Sequence, residues 1–243
     1  MDIARLAPKE RLICALDTAN VTEAQEIIAE LDGLVSFFKI GITLHLASGL
    51  EIVNALLASN KRVFLDLKYY DVPETVRLAV REAARLGVHF LTIHGNNQII
   101  KAAAQGRGEK SDLRLLIVTV LTSLDQADLV EMGYTNIPLQ DLVLKRARNA
   151  LTHGADGVIS SAQEANLIKK ETAGKLLAIS PGIRPPGALA DDQKRTMPAS
   201  AAVAAGADFL VVGRPITAAP DRRQAAVNII ADMETSLAQA ALD

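Results

Sequence analysis

Val63-Phe64-Leu65-Asp66-Leu67-Lys68-Tyr69-Tyr70-Asp71 is an apolar stretch that becomes charged towards its end. Its β-branched and aromatic residues predict a strand. Because side chains two residues apart on a strand point to the same face, Asp66 and Lys68 share a face opposite the flanking leucines. Charges at the end of an apolar strand are costly to desolvate unless they pair. The stretch therefore predicts a buried structural ion pair or a functional site, and the third charge, Asp71, favours a site.

Short apolar strands alternate with amphipathic helical stretches along the chain. Strands are predicted over residues 11–16, 36–40, the opening stretch from residue 63, 90–93, 115–121, 157–161, 175–179 and 208–212. The helices between them include residues 49–58, 73–87 and 139–153, and a last helix begins at about residue 221. Strands that alternate with helices in this way form parallel βαβ units. No linker interrupts the units, which indicates one domain over residues 1–243.

Eight β/α units close naturally into a barrel, and 243 residues is a usual length for that fold. A doubly wound sheet is the alternative, but no G-x-G-x-x-G motif follows the first strand. The sequence therefore predicts an α/β protein built as a single (β/α)8 TIM barrel. In this fold the active site lies at the C-terminal ends of the strands.

Composition narrows the class of protein. Hydrophobic residues make up 49% of the chain, which is enough for a large core. The formal net charge is −2 and no basic tract stands out, so nucleic acid is not an expected partner. The chain has no signal-peptide pattern and no apolar run near the roughly 20 residues needed to span a bilayer. With the single Cys14 in an apolar run, these features predict a cytoplasmic protein without membrane contact.

Polar residues follow most of the predicted strands. In a barrel these strand ends converge on one mouth, although they come from distant parts of the sequence. Loops are polar in any protein, but two lysines and two aspartates among apolar neighbours favour a site over a chance ring. The ring consists of Asp17, Lys39, Asp66 with Lys68, His94, Thr122 with Ser123, Ser160 with Ser161, Pro181 with Gly182, and Gly213 with Arg214.

The last two units carry the pattern of a phosphate site. In this fold the loops after strands seven and eight commonly bind phosphate through glycine backbone N–H groups. Gly182 and Gly213 allow close backbone approach, and the guanidinium of Arg214 offers a fork of donors. The alternative interpretation is that Arg214 is an ordinary surface residue, but its position at the end of a strand favours the phosphate site. The long loop over residues 185–197 is typical of a lid, or else of a mobile decoration.

Several motifs together resemble the orotidine 5'-phosphate decarboxylase family, in its bacterial branch, from about residue 11 to residue 231. The motif D-x-K-x-x-D alone also occurs in relatives that act on sugar phosphates. The full series is more specific, especially the Pro-Gly-Ile-Arg segment with the Asp-Gln pair. In chain order the motifs are Ala15-Leu16-Asp17, Phe38-Lys39-Ile40-Gly41, Asp66-Leu67-Lys68-Tyr69-Tyr70-Asp71-Val72-Pro73-Glu74-Thr75, Thr92-Ile93-His94-Gly95, Leu121-Thr122-Ser123, Ser180-Pro181-Gly182-Ile183-Arg184, Asp192-Gln193 and Val212-Gly213-Arg214-Pro215.

The resemblance implies a reaction and its catalytic residues. The family converts orotidine 5'-monophosphate to uridine 5'-monophosphate and carbon dioxide, the last step of pyrimidine nucleotide synthesis, without a cofactor or metal. By resemblance, Lys68 protonates C6 of the pyrimidine and Asp66 faces the substrate carboxylate. Lys39 and Asp71 complete an alternating charge network. The carboxylates favour the charged ammonium form that this chemistry needs.

The resemblance also implies how substrate and subunits bind. Asp71 and Thr75 reach the ligand of a neighbouring subunit, so a homodimer is expected. The remaining contacts are Asp17 and Lys39 to ribose hydroxyls, Ser123 (with Thr122) to the base, Pro181 packing on the pyrimidine, and Gln193, Arg214, Gly213 and the weaker candidate Arg184 at the phosphate. His94 belongs to a motif but receives no role. Asp191 stands where many relatives carry glycine, which leaves the lid geometry open.

Three rival functions remain open on the sequence. A Schiff-base aldolase on this barrel needs a neutral lysine amine, which the carboxylates around Lys68 disfavour. A metal-dependent sugar-phosphate decarboxylase or synthase would depend on magnesium. A catalytically silent barrel would bind uridine phosphates tightly without turnover.

Overall fold

Eight parallel strands close into a barrel in sequence order, and β8 pairs with β1. The structure is a computed structural model and describes residues 3–185 and 194–240. The strands are β1 Leu12–Leu16, β2 Phe37–Gly41, β3 Arg62–Tyr69, β4 Phe90–Ile93, β5 Arg114–Val118, β6 Gly157–Ile159, β7 Leu177–Ser180 and β8 Phe209–Val212. The predicted (β/α)8 barrel is confirmed.

Helices cover the outside of the barrel. They are α1 Val21–Glu30, α2 Ile42–Ser48, α3 Glu51–Ala58, α4 Pro73–Leu86, α5 Asn97–Arg107, α6 Gln126–Glu131, α7 Leu139–Thr152, α8 Ala162–Glu171, α9 Ala199–Ala204, α10 Arg214–Thr217 and α11 Arg222–Ala240. Side chains at the helix starts satisfy free backbone amides: Asn20, Asn96, Asp125 and Ser161 each accept from the first turn of the helix that follows. Among the helices of the described residues, none is both long and apolar enough to cross a membrane.

A cluster of phenylalanines fills the interior of the barrel. The ring centroids of Phe37 and Phe90 are 4.8 Å apart, and those of Phe90 and Phe209 are 5.1 Å apart. Phe64 packs edge-on against Phe90 at 5.9 Å. Because side chains alternate along a strand, the residues two positions further on also point inward, nearer the mouth. The packed rings fill the barrel below these residues, and the C-terminal ends of the strands are where this fold places its site.

Strand five ends earlier than the sequence predicts. The apolar run predicts a strand to Leu121, but β5 ends at Val118. Side chains from distant elements take the next carbonyl groups: Arg146 donates to the carbonyl oxygen of Thr119, and Arg195 donates to those of Val120 and Leu121. These bonds satisfy the backbone outside a strand ladder, so an apolar run alone does not prolong the strand.

Other predicted boundaries differ where short helices follow the strands. The sequence predicts a helix over residues 49–58, whereas the chain forms α2 before Gly49 and α3 after it. Gly49 adopts a positive φ of +55°, which separates the two helices. Helices α6 and α10 are also absent from the prediction, because four to six residues are too few to show a helical period.

Candidate active site

Four charged side chains of alternating sign form a continuous row at the mouth of the barrel. The Lys39 ammonium lies 2.7 Å from Asp17 Oδ1 and 3.5 Å from Asp66 Oδ2. The other oxygen of that carboxylate, Oδ1, lies 2.9 Å from the Lys68 ammonium. The predicted pairing of Asp66 with Lys68 is thus present, and Lys39 joins it to Asp17.

Neighbouring charges set the ionisation of the two most buried members of the row. Burial alone would lower the pKa of Lys39, but the carboxylates of Asp66 and Asp17 outweigh it and the pKa is raised. Burial alone would raise the pKa of Asp66, but Lys39 and Lys68 outweigh it and the pKa is lowered. Both groups are therefore charged at neutral pH.

A cleft of about 550 Å³ opens above this row. Its walls come from the ends of β1, β2, β3, β6 and β8 and from the loops after β5 and β7. Most of the predicted site residues line it: Asp17, Lys39, Asp66, Lys68, Thr122, Ser123, Pro181, Arg184, Gly213 and Arg214. The cleft has charged groups at its base and is large enough for a small ligand.

The loop after β7 is held together where it leaves the barrel. The backbone N–H of Arg184 donates to the Met197 carbonyl at 3.0 Å, and that of Met197 donates to the Gly182 carbonyl at 3.2 Å. Gly182 has a φ of +79°, a conformation that favours glycine. Gly182 and Arg184 line the cleft together with Gly213 and Arg214 of the turn after β8. The predicted phosphate contact Gln193, like Asp191 and most of the predicted lid, lies outside the described residues.

Comparison with known proteins shows the family of this chain. A family model for the orotidine 5'-phosphate decarboxylase / HUMPS family matches residues 10–229. The chain belongs to that family. The resemblance seen in the motifs is thereby confirmed.

Relatives in this family match over nearly the full chain. The orotidine 5'-phosphate decarboxylase of Nitrobacter winogradskyi is 50% identical over 236 residues, covering 97% of this chain and 96% of that protein. That of Methylorubrum extorquens is 47% identical over 227 residues, covering 93% of this chain and 97% of that protein. The crystal structure of orotidine 5'-phosphate decarboxylase from Lactobacillus acidophilus matches with a TM-score of 0.81 and 33% identity, covering 92% of this chain and 99% of that one.

Two residues that the family motif singles out lie away from the cleft. Asp71 is exposed on the loop after β3, and its Oδ1 accepts a hydrogen bond from the Val72 backbone at 2.6 Å. Thr75 is exposed in the first turn of α4. Of the ion pairs between residues that the structure describes, none includes Asp71. Within one chain, the charge row therefore ends at Lys68.

His94 faces a second cavity, which adjoins the first at Lys68. This cavity measures about 880 Å³ and is also lined by Tyr70, Tyr134 and Arg146. The His94 ring meets Tyr70 edge-on, with 5.8 Å between ring centroids. Burial, and then the positive charges of Arg146 and Lys68, lower the pKa of His94. His94 is therefore neutral at neutral pH.

Sequence reasoning missed two residues that shape the charge row. A Cβ atom on Gly41 would lie 3.1 Å from Asp17 Oδ1 and 3.4 Å from Lys39 Nζ, so glycine leaves room for that pair. Thr92 is fully buried and bonds to Asp66. Both belong to the family motifs Phe38-Lys39-Ile40-Gly41 and Thr92-Ile93-His94-Gly95, but their spacing alone indicates no contact with the row.

Proposed function

We propose that this chain decarboxylates orotidine 5'-monophosphate to uridine 5'-monophosphate and carbon dioxide, the last step of pyrimidine nucleotide synthesis. Family membership supports the reaction. The observation that carries the mechanism is the Lys68 ammonium, held 2.9 Å from Asp66 at the base of the cleft. A fixed positive charge and a proton are both available there.

The chemistry requires this combination. When the bond between C6 and the carboxylate breaks, carbon dioxide leaves and the electron pair stays on C6, a ring carbon without a conjugated sink. Lys68 stabilises that charge and transfers a proton from Nζ to C6, which gives the uridine product. The lysine then regains a proton from solvent. Because the ammonium is in place before the reaction, its electrostatic effect needs no reorganisation at the transition state.

The carboxylate of Asp66 has two roles in the proposal. It orients Lys68 through the 2.9 Å contact, and it faces the substrate carboxylate, which it repels until carbon dioxide leaves. Lys39 balances the charge of Asp66 from the other side at 3.5 Å. The substrate carboxylate can therefore lie close to Asp66 while Asp66 itself stays ionised.

The walls of the cleft suit the remaining parts of the nucleotide. We assign Asp17 and Lys39 to the ribose hydroxyls, and place the base between Ser123 and Pro181. The phosphate is assigned to the Gly182 and Gly213 turns together with Arg214 and the weaker candidate Arg184, which line the cleft there. Gln193 is assigned to the phosphate from the family motif alone. Phosphate contacts far from C6 supply binding energy that organises the site for the chemical step.

The proposal includes a homodimer in which Asp71 and Thr75 act on the partner's ligand. Two large side chains beside Asp71 are exposed in the single chain: Tyr70 is 68% exposed and Val72 is 62% exposed. Exposed apolar side chains next to one another are typical of a protein interface. A partner covering them would bring Asp71 out of solvent. The cytoplasmic location and the one-domain organisation stay predictions.

The deciding experiment is a spectrophotometric assay with orotidine 5'-monophosphate in EDTA, with wild type beside Lys68→Ala. We expect the wild type alone to consume the substrate, and Lys68→Ala to lose at least about 1,000-fold in kcat, because one side chain supplies both proton and charge. Equal binding of uridine 5'-monophosphate by both proteins would show that the variant's cleft is intact.

Each rival function predicts a different experimental result. Borohydride trapping of a keto-sugar phosphate on Lys68 would identify a Schiff-base aldolase. Activity on sugar phosphates that requires magnesium would identify a metal-dependent relative. Tight binding of uridine 5'-monophosphate by a wild type that turns over no substrate would contradict the proposal and identify a silent binding protein.

A further inference from the structure

Strand β3 contains an insertion in the segment that carries Asp66 and Lys68, the last two members of the charge row. Its residue Leu65 pairs with Leu91 of β4. The next pair is Tyr69 with Ile93, so three residues of β3 lie opposite Thr92 alone. A bulge of this kind leaves backbone groups of the longer strand without their usual ladder partners.

Lys68 lies within this bulge in an uncommon conformation. Its φ is +49°, in the left-handed region that residues with side chains rarely adopt. Such a conformation persists only when its surroundings hold it. The Lys68 backbone N–H donates to the hydroxyl oxygen of Thr92 at 2.9 Å. The Thr92 side chain thus serves as acceptor for an N–H group at the irregular part of the strand.

The hydroxyl hydrogen of Thr92 has two acceptors within range. Asp66 Oδ1 lies 3.0 Å away and the Leu65 carbonyl oxygen lies 3.5 Å away. The carboxylate is nearer and charged, which makes it the stronger acceptor. The same Oδ1 also accepts from the Lys68 ammonium at 2.9 Å. Lys68, Thr92 and Asp66 therefore form a closed cycle of hydrogen bonds that holds Lys68 at its backbone and at its ammonium.

We propose that Thr92 is a positioning residue of the reaction, acting through Lys68 and Asp66. This inference rests on the proposed function, in which Lys68 donates the proton. Thr92 is fully buried, so it acts on the substrate only through these two neighbours. Its hydroxyl accepts a hydrogen bond from the Lys68 backbone N–H and, at the same time, donates a hydrogen bond to the Asp66 carboxylate. Serine can do both, whereas valine has nearly the same shape and can do neither.

Three variants test this role. Thr92→Val removes the hydroxyl, Thr92→Ser keeps it, and Thr119→Val is the matched control. Thr119 is also fully buried, and its hydroxyl donates to the Ile159 carbonyl at 2.8 Å, away from the charge row. Thr92→Val is expected to lower kcat about 10- to 100-fold, the effect of losing a hydrogen bond to a charged group. Thr92→Ser restores most of kcat, and Thr119→Val keeps it.

A purely structural role would not produce this pattern. The assigned nucleotide contacts lie elsewhere in the cleft, so the Kd for uridine 5'-monophosphate is expected to stay within about twofold of wild type in all three variants. The loss then appears in kcat and not in binding. Equal loss of kcat in Thr92→Val and Thr119→Val, or no recovery in Thr92→Ser, would overturn the proposal.

Crystal structures of the variants provide a test that does not depend on turnover. In Thr92→Val we expect Lys68 to leave the left-handed region or its ammonium to leave Asp66, and in Thr92→Ser we expect both to stay. An unchanged Lys68 in Thr92→Val would refute the inference. Wild-type turnover in the same assay decides the proposed function separately, and the crystal structures still decide the role of Thr92 if no turnover is found.

Discussion

Arg195 and Glu164 form a buried ion pair, with 2.6 Å between Nη1 and Oε1. Their side chains are only 9% and 6% exposed. The second terminal nitrogen, Nη2, donates to the carbonyl oxygens of Val120 and Leu121, both at 3.1 Å. Arg195 therefore joins the end of the loop after β7 to helix α8 and to the loop after β5. Both loops contribute residues to the wall of the cleft.

Replacing Arg195 by Met is expected to lower the free energy of unfolding by about 3–5 kcal/mol, because it leaves the Glu164 carboxylate buried without its partner. Burial already raises the pKa of Glu164 against the opposing effect of Arg195. Without Arg195 that pKa rises further. When the pKa of a carboxyl is higher in the folded than in the unfolded protein, the group contributes fully to the free energy of unfolding below its unfolded-state pKa. That contribution is lost as the pH rises through the folded-state pKa.

The stability deficit of Arg195→Met is therefore expected to grow between pH about 5 and pH about 8 in urea unfolding followed by circular dichroism. Lys194→Met is the matched control, since Lys194 pairs with Asp125 and Asp128 on the surface, each at 2.8 Å. We expect little change in that variant. A deficit in Arg195→Met that is no larger than the control's, or that does not depend on pH, would contradict the prediction.

The Lys39→Met variant is expected to lose about 3 kcal/mol of unfolding free energy at neutral pH, because Asp66 loses one of its two cationic partners. Lys39 and Lys68 together lower the pKa of Asp66 in the folded protein. A carboxyl with a lowered folded-state pKa contributes stability above its unfolded pKa and loses it as pH falls through the folded value.

Wild type and Lys39→Met should therefore differ less in their free energy of unfolding as the pH falls from about 7 to about 3.5, because Asp66 becomes protonated in the variant over this range. Urea unfolding across this range measures it. Lys61→Met serves as a control, because Lys61 pairs with Asp32, a carboxylate whose side chain is 71% exposed. A difference between wild type and Lys39→Met that stays constant over the whole range would argue against the assigned role of Lys39.

Hybrid dimers test whether Asp71 acts across the proposed interface. Asp71→Ala and Lys68→Ala subunits are each expected to be inactive alone. In a hybrid dimer, one site combines the intact Lys68 of one subunit with the intact Asp71 of the other, so half of the hybrid's sites recover activity. The measurement is the specific activity of hybrids isolated with two different affinity tags. Hybrids that form but show no activity would exclude the shared site.

Much of the fold and part of the site could be predicted from the sequence because they depend on local periodicity. Apolar strands alternating with amphipathic helices predict the barrel, and parallel strands carry their C-terminal ends to one mouth. Asp66 and Lys68 lie two residues apart, which predicts their contact, although the contact forms within a bulge and not in a regular strand. The end of β5 could not be predicted, because arginines far away in the sequence accommodate the backbone after Val118.

The sequence by itself determined the barrel, the order of its polar strand ends and the pairing of Asp66 with Lys68, since these follow from patterns a few residues long. Only the tertiary structure decided that Lys39 joins Asp17 to Asp66, that the chain's own Asp71 stays outside the charge row, and that Thr92 holds Lys68. Closure of the barrel and the bulge in β3 bring Lys39 to Asp17 and Asp66, and Thr92 to Lys68, while Asp71 stays apart from them. Such contacts join residues from different strands, and their distances depend on strand register, which no local pattern encodes.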